Sequence, residues 1–276
     1  MKKVFLFLCL PLVLPLAGAF GIDQWDLATF LKLMAESGRP TTMSPGTFDA
    51  VQARIPEYLS ITKKYLNDGL GHVSPTVMKA FEEVPRLYFM YNYQERRSIA
   101  QDTYRLPPRP WAIGYGSYIS DYRAQAYMTQ ILEPKADEVS LEIGTGSGFQ
   151  SAILSRIVKE AYTIEIITPL AEAVHEIYGP IGFDNVHTRA GDGYYGWPEV
   201  TGGFDIIIVT AAAPYVPPPL LEQLKPNGRM IIPIGEPYQT QFLYLFTKDA
   251  QGKVHSSRNI PTYFIPMTGR VQQGGP

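Results

Sequence analysis

The sequence predicts an α/β fold, a doubly wound and mostly parallel sheet with an antiparallel edge, preceded by an N-terminal helical segment. Three patterns point there. From Asp137 onward, short runs rich in Val, Ile and aromatic residues alternate with stretches of helical spacing, the rhythm of βαβ units. The first of these runs ends in a glycine-rich turn that opens a helix. Ahead of Asp137 the apolar residues recur instead at helical spacing.

At 276 residues the chain exceeds a single domain of ~100–200 residues, which suggests one domain with an added segment. An apolar fraction of 45% and a charged fraction of 18% describe a globular protein whose core can be stable without disulfides or metals. The net charge of -2 gives no basic footprint, so no nucleic-acid partner is expected.

The first nineteen residues stand apart. Lys2 and Lys3 precede an uncharged apolar run from Val4 to Leu16, and Ala17-Gly18-Ala19 then supplies small residues. That is the layout of a secretory signal peptide cut after Ala19, and it predicts an exported, periplasmic protein without stable membrane association once processed. The run is shorter than the ~20 residues of a membrane span, and Pro11 and Pro15 interrupt it. A short buried helix or an uncleaved anchor is the alternative. Cys9, the only cysteine, lies inside the run, so a processed chain beginning at Phe20 has no disulfide, thiolate ligand or cysteine nucleophile.

Residues 20–73 read as a helical extension. Ile22, Trp25, Leu27, Phe30, Leu31, Leu33 and Met34 fall at roughly helical spacing over residues 22–36, and a second helix is expected from Phe48 to Leu66 with Pro56 as a break or kink. Ser74-Pro75 pairs a cap with a proline at the first helical position and opens the main domain, residues 74–270. Its helix stops near Pro85. The polar, proline-rich stretch from Arg96 to Trp111 suggests an extended surface loop, and Asp121–Leu132 a helix for which Ser120 is a candidate cap. Strands are then expected at Val139–Ile143, Ala161–Glu165, Asn185–Ala190, Phe204–Thr210, Arg229–Pro233 and Phe242–Thr247. Helices are expected at Gln150–Ile157, Thr168–Ile177 and Pro218–Leu224. The two late adjacent strands supply the antiparallel edge, and residues 271–276 form a tail.

The spacing of the glycine turn, Glu142-Ile-Gly144-Thr145-Gly146-Ser-Gly148-Phe-Gln150, discriminates among ligands. In a dinucleotide fingerprint the third glycine falls one residue later, and a phosphate loop ends in Gly-Lys-Ser/Thr. Glu165 closes the next strand, where an acid can accept hydrogen bonds from both ribose hydroxyls. Gly191-Asp192-Gly193 follows the third strand, where a carboxylate can accept from an adenine amino group, although the same tripeptide makes an ordinary turn. His72, His175, His187 and His255 lack metal-ligand spacing, and no metal is expected.

The glycine turn resembles the first motif of S-adenosylmethionine-dependent methyltransferases. A closer resemblance, to protein-L-isoaspartate O-methyltransferases, rests on that turn, Gly191-Asp192-Gly193 with Gly196-Trp197-Pro198, and Phe204-Asp-Ile-Ile-Ile-Val-Thr210-Ala211-Ala212-Ala-Pro214. Leu220–Arg229, Ile232–Gly235, Phe264–Gly269 and Val77–Arg86 extend it back to about residue 74. The resemblance implies a Rossmann-like core and S-adenosyl-L-methionine as cofactor. It implies methyl transfer to the α-carboxylate of isoaspartyl residues in damaged proteins or peptides, giving an ester that closes to a succinimide. It places Glu142, Gly144, Thr145, Gly146, Gly148, Glu165, Asp192, Gly193 and Thr210 on the cofactor. Ile119, Ser120, Ala211 and Ala212 fall on the acceptor side, with Ser120 as the catalytic contact. The family's usual compartment, the cytoplasm, is the alternative to export. One segment departs: the family's Gly-Gln-Thr-Ile-Ser is Gly116-Ser117-Tyr118-Ile119-Ser120 here. A ring at Tyr118 must lie along a peptide backbone or point outward if isoaspartate is to enter. Another carboxylate acceptor, or an exported binding protein without catalysis, are the other readings.

Overall fold

The computed structural model describes residues 25–274, so the leader expected over residues 1–19 lies outside the described residues. Three helices come first, α1 (Leu27–Glu36), α2 (Pro45–Gln52) and α3 (Ile55–Leu70). Asp26 starts α1 by accepting the Thr29 N–H at 2.7 Å, and Ser44 with Pro45 starts α2. The single helix expected over Phe48–Leu66 is therefore two. The chain turns at Ala53-Arg54, and Pro56 falls in the first turn of α3, where a missing N–H costs nothing. The next helix, α4 (Pro75–Glu83), opens as expected, the Ser74 hydroxyl accepting from Val77 N.

Two short hairpins follow. Strands β1 (Tyr91–Asn92) and β2 (Arg97–Ser98) form one, and β3 (Trp111–Gly114) and β4 (Ser117–Ile119) the other. The loop expected over Arg96–Trp111 thus holds part of a hairpin and a 3-10 turn at Ala100–Asp102. Helix α5 (Tyr122–Ile131) is capped by Asp121, whose carboxylate accepts the Arg123 N–H at 2.9 Å. Ser120 is therefore not the cap.

The remainder is the expected alternation: β5 (Val139–Ile143), α6 (Phe149–Ser155), β6 (Glu160–Glu165), α7 (Thr168–His175), β7 (Val186–Ala190), β8 (Phe204–Val209), α8 (Pro218–Gln223), β9 (Leu224–Ile234), β10 (Gln241–Lys248) and β11 (Val254–Thr262). The sheet runs β11-β10-β9-β8-β5-β6-β7. Its five strands from β9 to β7 are parallel, while β10 and β11 run antiparallel and make the edge. The chain leaves β5 toward β6 and β7, then returns to the other side of β5 as β8, which creates a topological switch between β5 and β8.

Alternation along the strands divides the core. Ile206 and Ile208 of β8 with Ile231 of β9 face one apolar cluster, and Ile207 and Val209 with Met230 and Ile232 face the other. The first cluster continues without a break into the N-terminal helices, since Phe30, Met34, Tyr58 and Leu66 are buried in the same body as Phe149 and Ile153 of α6. Residues before Ser74 therefore build the core on one face of the sheet, with α3 packed along α5.

Candidate active site

A cavity of about 940 Å³ opens at the carboxyl ends of β5, β6 and β8, where the strand order reverses. Its size is at the upper end of small-molecule pockets. The glycine turn forms one wall, and it is tied to both neighbouring strands. Gly144 N donates to Ile164 O at 2.9 Å, Thr210 N donates to Ile143 O at 2.9 Å, and the Thr210 hydroxyl donates to Gly144 O at 2.7 Å. Gly144 has φ +95, and a Cβ there would stand 2.7 Å from Thr210 Oγ1, so the backbone itself faces the cavity.

Two carboxyl groups lie beside the turn. Glu165 accepts Gly146 N at 2.9 Å and Ile167 N at 3.0 Å, one on each oxygen. Burial raises its pKa, and those backbone donors pull against the rise. Glu142 is 1% exposed and accepts from the Thr163 hydroxyl at 2.7 Å, which in turn meets the Thr145 hydroxyl at 2.7 Å. Burial pushes the Glu142 carboxyl up to about 8, the hydrogen bonds from Thr163 and Ser151 opposing.

The cavity brings together Ile119, Ser120, Glu142, Gly144, Thr145, Gly146, Glu165, Gly193, Thr210 and Ala211. Three expected residues lie outside its lining. Gly148 starts α6 at φ +83, and a Cβ there would come 2.6 Å from the Tyr178 hydroxyl, so the glycine serves the packing of α6 against the residues after α7. Asp192 directs its carboxylate to Tyr194 N at 2.9 Å and Arg270 N at 2.7 Å, anchoring the C-terminal segment. Ala212 exchanges backbone hydrogen bonds with Ile265 and Met267 and anchors the same segment.

That segment is the main omission of the sequence reading. Phe264, Met267, Thr268 and Gln272 form a wall of the cavity; Phe264–Gly269 carries part of the resemblance, but no site role was assigned to it because it is far in sequence from the glycine turn. The mouth carries four partly exposed tyrosines, Tyr115, Tyr118, Tyr238 and Tyr263. Tyr118 is 44% exposed, while its neighbours Ser117 and Ile119 point inward, so the departure from the family pattern places a ring at the rim. Two buried glutamines also line the cavity. Gln150 gives its amide N–H to the Thr129 hydroxyl at 2.9 Å, and its oxygen has no partner among the described residues. Gln125 accepts from Arg86 at 2.7 Å. Polar residues on the buried faces of α5 and α6 were the available signal. The histidines lie elsewhere: His175 meets Thr188, His187 pairs with Glu160, and His255 pairs with Asp249.

With this geometry in place, comparison with known proteins is informative. The family model described as protein-L-isoaspartate(D-aspartate) O-methyltransferase matches residues 61–272. Protein-L-isoaspartate O-methyltransferase 1 of Nitrosospira multiformis is 40% identical over 246 residues, covering 89% of this chain and 99% of the relative. The protein-L-isoaspartate O-methyltransferase of Opitutus terrae is 46% identical over 191 residues, 69% of this chain and 78% of its own. A solved protein-L-isoaspartate O-methyltransferase superposes with a TM-score of 0.65 at 28% identity, covering 79% of this chain and 67% of that one. The family model spans most of the chain and the glycine turn, β8 and the C-terminal segment that build the cavity. The chain belongs to the protein-L-isoaspartate(D-aspartate) O-methyltransferase family.

Proposed function

We propose that the chain transfers the methyl group of S-adenosylmethionine to the α-carboxylate of L-isoaspartyl residues in damaged proteins and peptides. The observation that carries this reading is a single cavity that joins the glycine turn and Glu165 on one side to Ser120 on the other. The residues fit the cofactor. Gly144 leaves no room for a side chain, so backbone forms the wall. Each Glu165 oxygen accepts one backbone N–H and keeps a lone pair for a ribose hydroxyl. Glu142, beneath the turn, is the acid for the amino-acid end, and Gly193 lines the cavity against Ile143 at the end of β5.

Bound there, S-adenosylmethionine supplies a methyl group on a cationic sulfur, open to in-line displacement by a carboxylate. An acceptor carboxylate is already ionised at neutral pH, so the chain needs no strong base and its task is alignment. Arg86 donates to Ser120 O at 2.5 Å, which fixes the Ser120 backbone at the cavity wall and leaves the hydroxyl free to orient the acceptor. Phe264 and Met267, both buried, give the cavity an apolar surface that limits water. Tyr118 at the rim supports entry of a peptide, because its ring stands clear of the interior.

Calorimetric titration with S-adenosylhomocysteine, followed by methyl transfer to an isoaspartyl peptide and its aspartyl twin, tests the reading. Binding with transfer to the isoaspartyl peptide alone is expected. Binding with no transfer to that peptide overturns the acceptor assignment. We also propose export, supported by Lys2, Lys3, the run to Leu16 and Ala17-Gly18-Ala19. Residues 1–25 fused to a reporter active only outside the cytoplasm should give signal, whereas intact Met1 on a cytoplasmic protein overturns export.

A further inference from the structure

Arg86 is 2% exposed, yet among the described residues it makes no ion pair. Its nitrogens meet two neutral oxygens, Gln125 Oε1 at 2.7 Å and the Ser120 carbonyl at 2.5 Å, and its guanidinium lies over the Phe149 ring at 4.7 Å. The nearby Asp121 carboxylate is engaged by Arg123. A buried cation without a counter-ion is costly, and it makes its surroundings favour negative charge.

The same contact fixes the polarity of Gln125. The oxygen and nitrogen of a glutamine amide are interchangeable in shape, but a guanidinium only donates. The end that meets Arg86 is therefore the oxygen, and the NH₂ end is the one left for the cavity that Gln125 lines. Polarisation by the guanidinium strengthens that donor. Gln125 is 5% exposed and sits on α5, five residues after Ser120, so the donor is presented beside the acceptor wall by a rigid helix.

We propose that Gln125 is a carboxylate receptor of this cavity, with Arg86 as the positioning residue that sets its polarity and lends it charge. Two carboxylates reach such a cavity: the α-carboxylate at the amino-acid end of the cofactor, and the acceptor carboxylate. The inference rests on the methyltransferase reading, and the parent chain tests that reading separately by binding S-adenosylhomocysteine and methylating an isoaspartyl peptide.

The informative variants are Gln125→Glu and Gln125→Met. Glu at this position still accepts from Arg86 and now neutralises it, so the variant should unfold at or above the parent's temperature while facing the ligand with an anion. A merely structural Gln125 predicts a variant as good as the parent in every respect. If the cofactor's carboxylate is the ligand, Gln125→Glu binds S-adenosylhomocysteine at least about 10-fold more weakly, as for a lost hydrogen bond to a charged group. Its affinity for the decarboxylated analogue, 5′-(3-aminopropylthio)adenosine, then does not fall. If the acceptor's carboxylate is the ligand, S-adenosylhomocysteine affinity holds and kcat/KM for the isoaspartyl peptide falls by about 10-fold or more. Either pattern supports the proposal. Affinity and kcat/KM both within twofold of the parent overturn it, and so does an equal loss for S-adenosylhomocysteine and its decarboxylated analogue. Should Gln125→Glu fail to fold, Gln125→Met removes the donor with little change of shape and is read by the same two outcomes.

Discussion

Glu142 illustrates how one buried group can report ligand binding. With its carboxyl raised to about 8 by burial, Glu142 is mostly protonated at pH 7 in the empty protein. The raised value also means that its contribution to stability is present below its ordinary value of 4.5 and is lost as pH rises through about 8. An ammonium group placed beside it favours the carboxylate and expels the proton. Titration with S-adenosylhomocysteine at pH 7, in buffers of different ionisation enthalpy, should therefore show net proton release that Glu142→Gln abolishes. An observed heat independent of buffer sinks the assignment. Glu165→Ala should weaken the same ligand by about 1.5–3 kcal/mol, as for hydrogen bonds to a charged group. Unchanged affinity removes Glu165 from the ribose. Both acids were legible in the sequence because Glu142 stands at the entry to the glycine turn and Glu165 closes the strand that follows it. Arg86 and Gln125 were not, since their roles depend on a contact between residues 39 apart in the chain.

Among elements, the legible ones were those buried along most of their length. β5, β6 and β8 are buried at nearly every position because both faces of the sheet are covered, and their bounds came within a residue. β11 escaped notice because it is an edge strand, mostly exposed, with the polar run His255-Ser-Ser-Arg258 where a buried strand has Val and Ile. The β3–β4 hairpin was too short to show a period. Gly148 and Asp192 were located correctly as turn residues, but their tertiary partners decide what they do. Gly148→Ala should lower stability by about 1–3 kcal/mol, from a left-handed backbone held by a non-glycine residue and crowding at Tyr178. Its cofactor affinity, measured well below the unfolding temperature, should stay within twofold. A tenfold loss of affinity with unchanged unfolding would return Gly148 to the ligand. Asp192→Ala should cost about 0.5–2 kcal/mol as a lost cap and raise hydrogen exchange across residues 264–273. Unaltered exchange there means that Asp192 does not hold the segment.

For the molecule as a whole, the N-terminal helices are part of the fold that positions the site. A chain beginning at Val73 loses Tyr58, Thr62 and Leu66, all at 1% exposure or less, from the surface against which α5 packs. Such a chain should lose its near-ultraviolet circular dichroism and its affinity for S-adenosylhomocysteine. Sharp tertiary signals and parent-like affinity would show that the sheet and α5 stand without the extension. The sequence indicated helices there but not their shared core, because helical spacing shows that a face is buried and not what buries it.

The C-terminal wall of the cavity has a consequence in time. Residues lining the cavity run from Pro110 to Gln272, and the segment that closes it is tied down by Asp192 and Ala212. A ribosome delivers β5 through β8 well before Phe264. A ligand stabilises only a state that can bind it. A chain delivered only as far as β8 holds Glu142, Gly144 and Glu165 but lacks the wall from Phe264 to Gln272, so cofactor binding lends the sheet its full support only once that wall arrives.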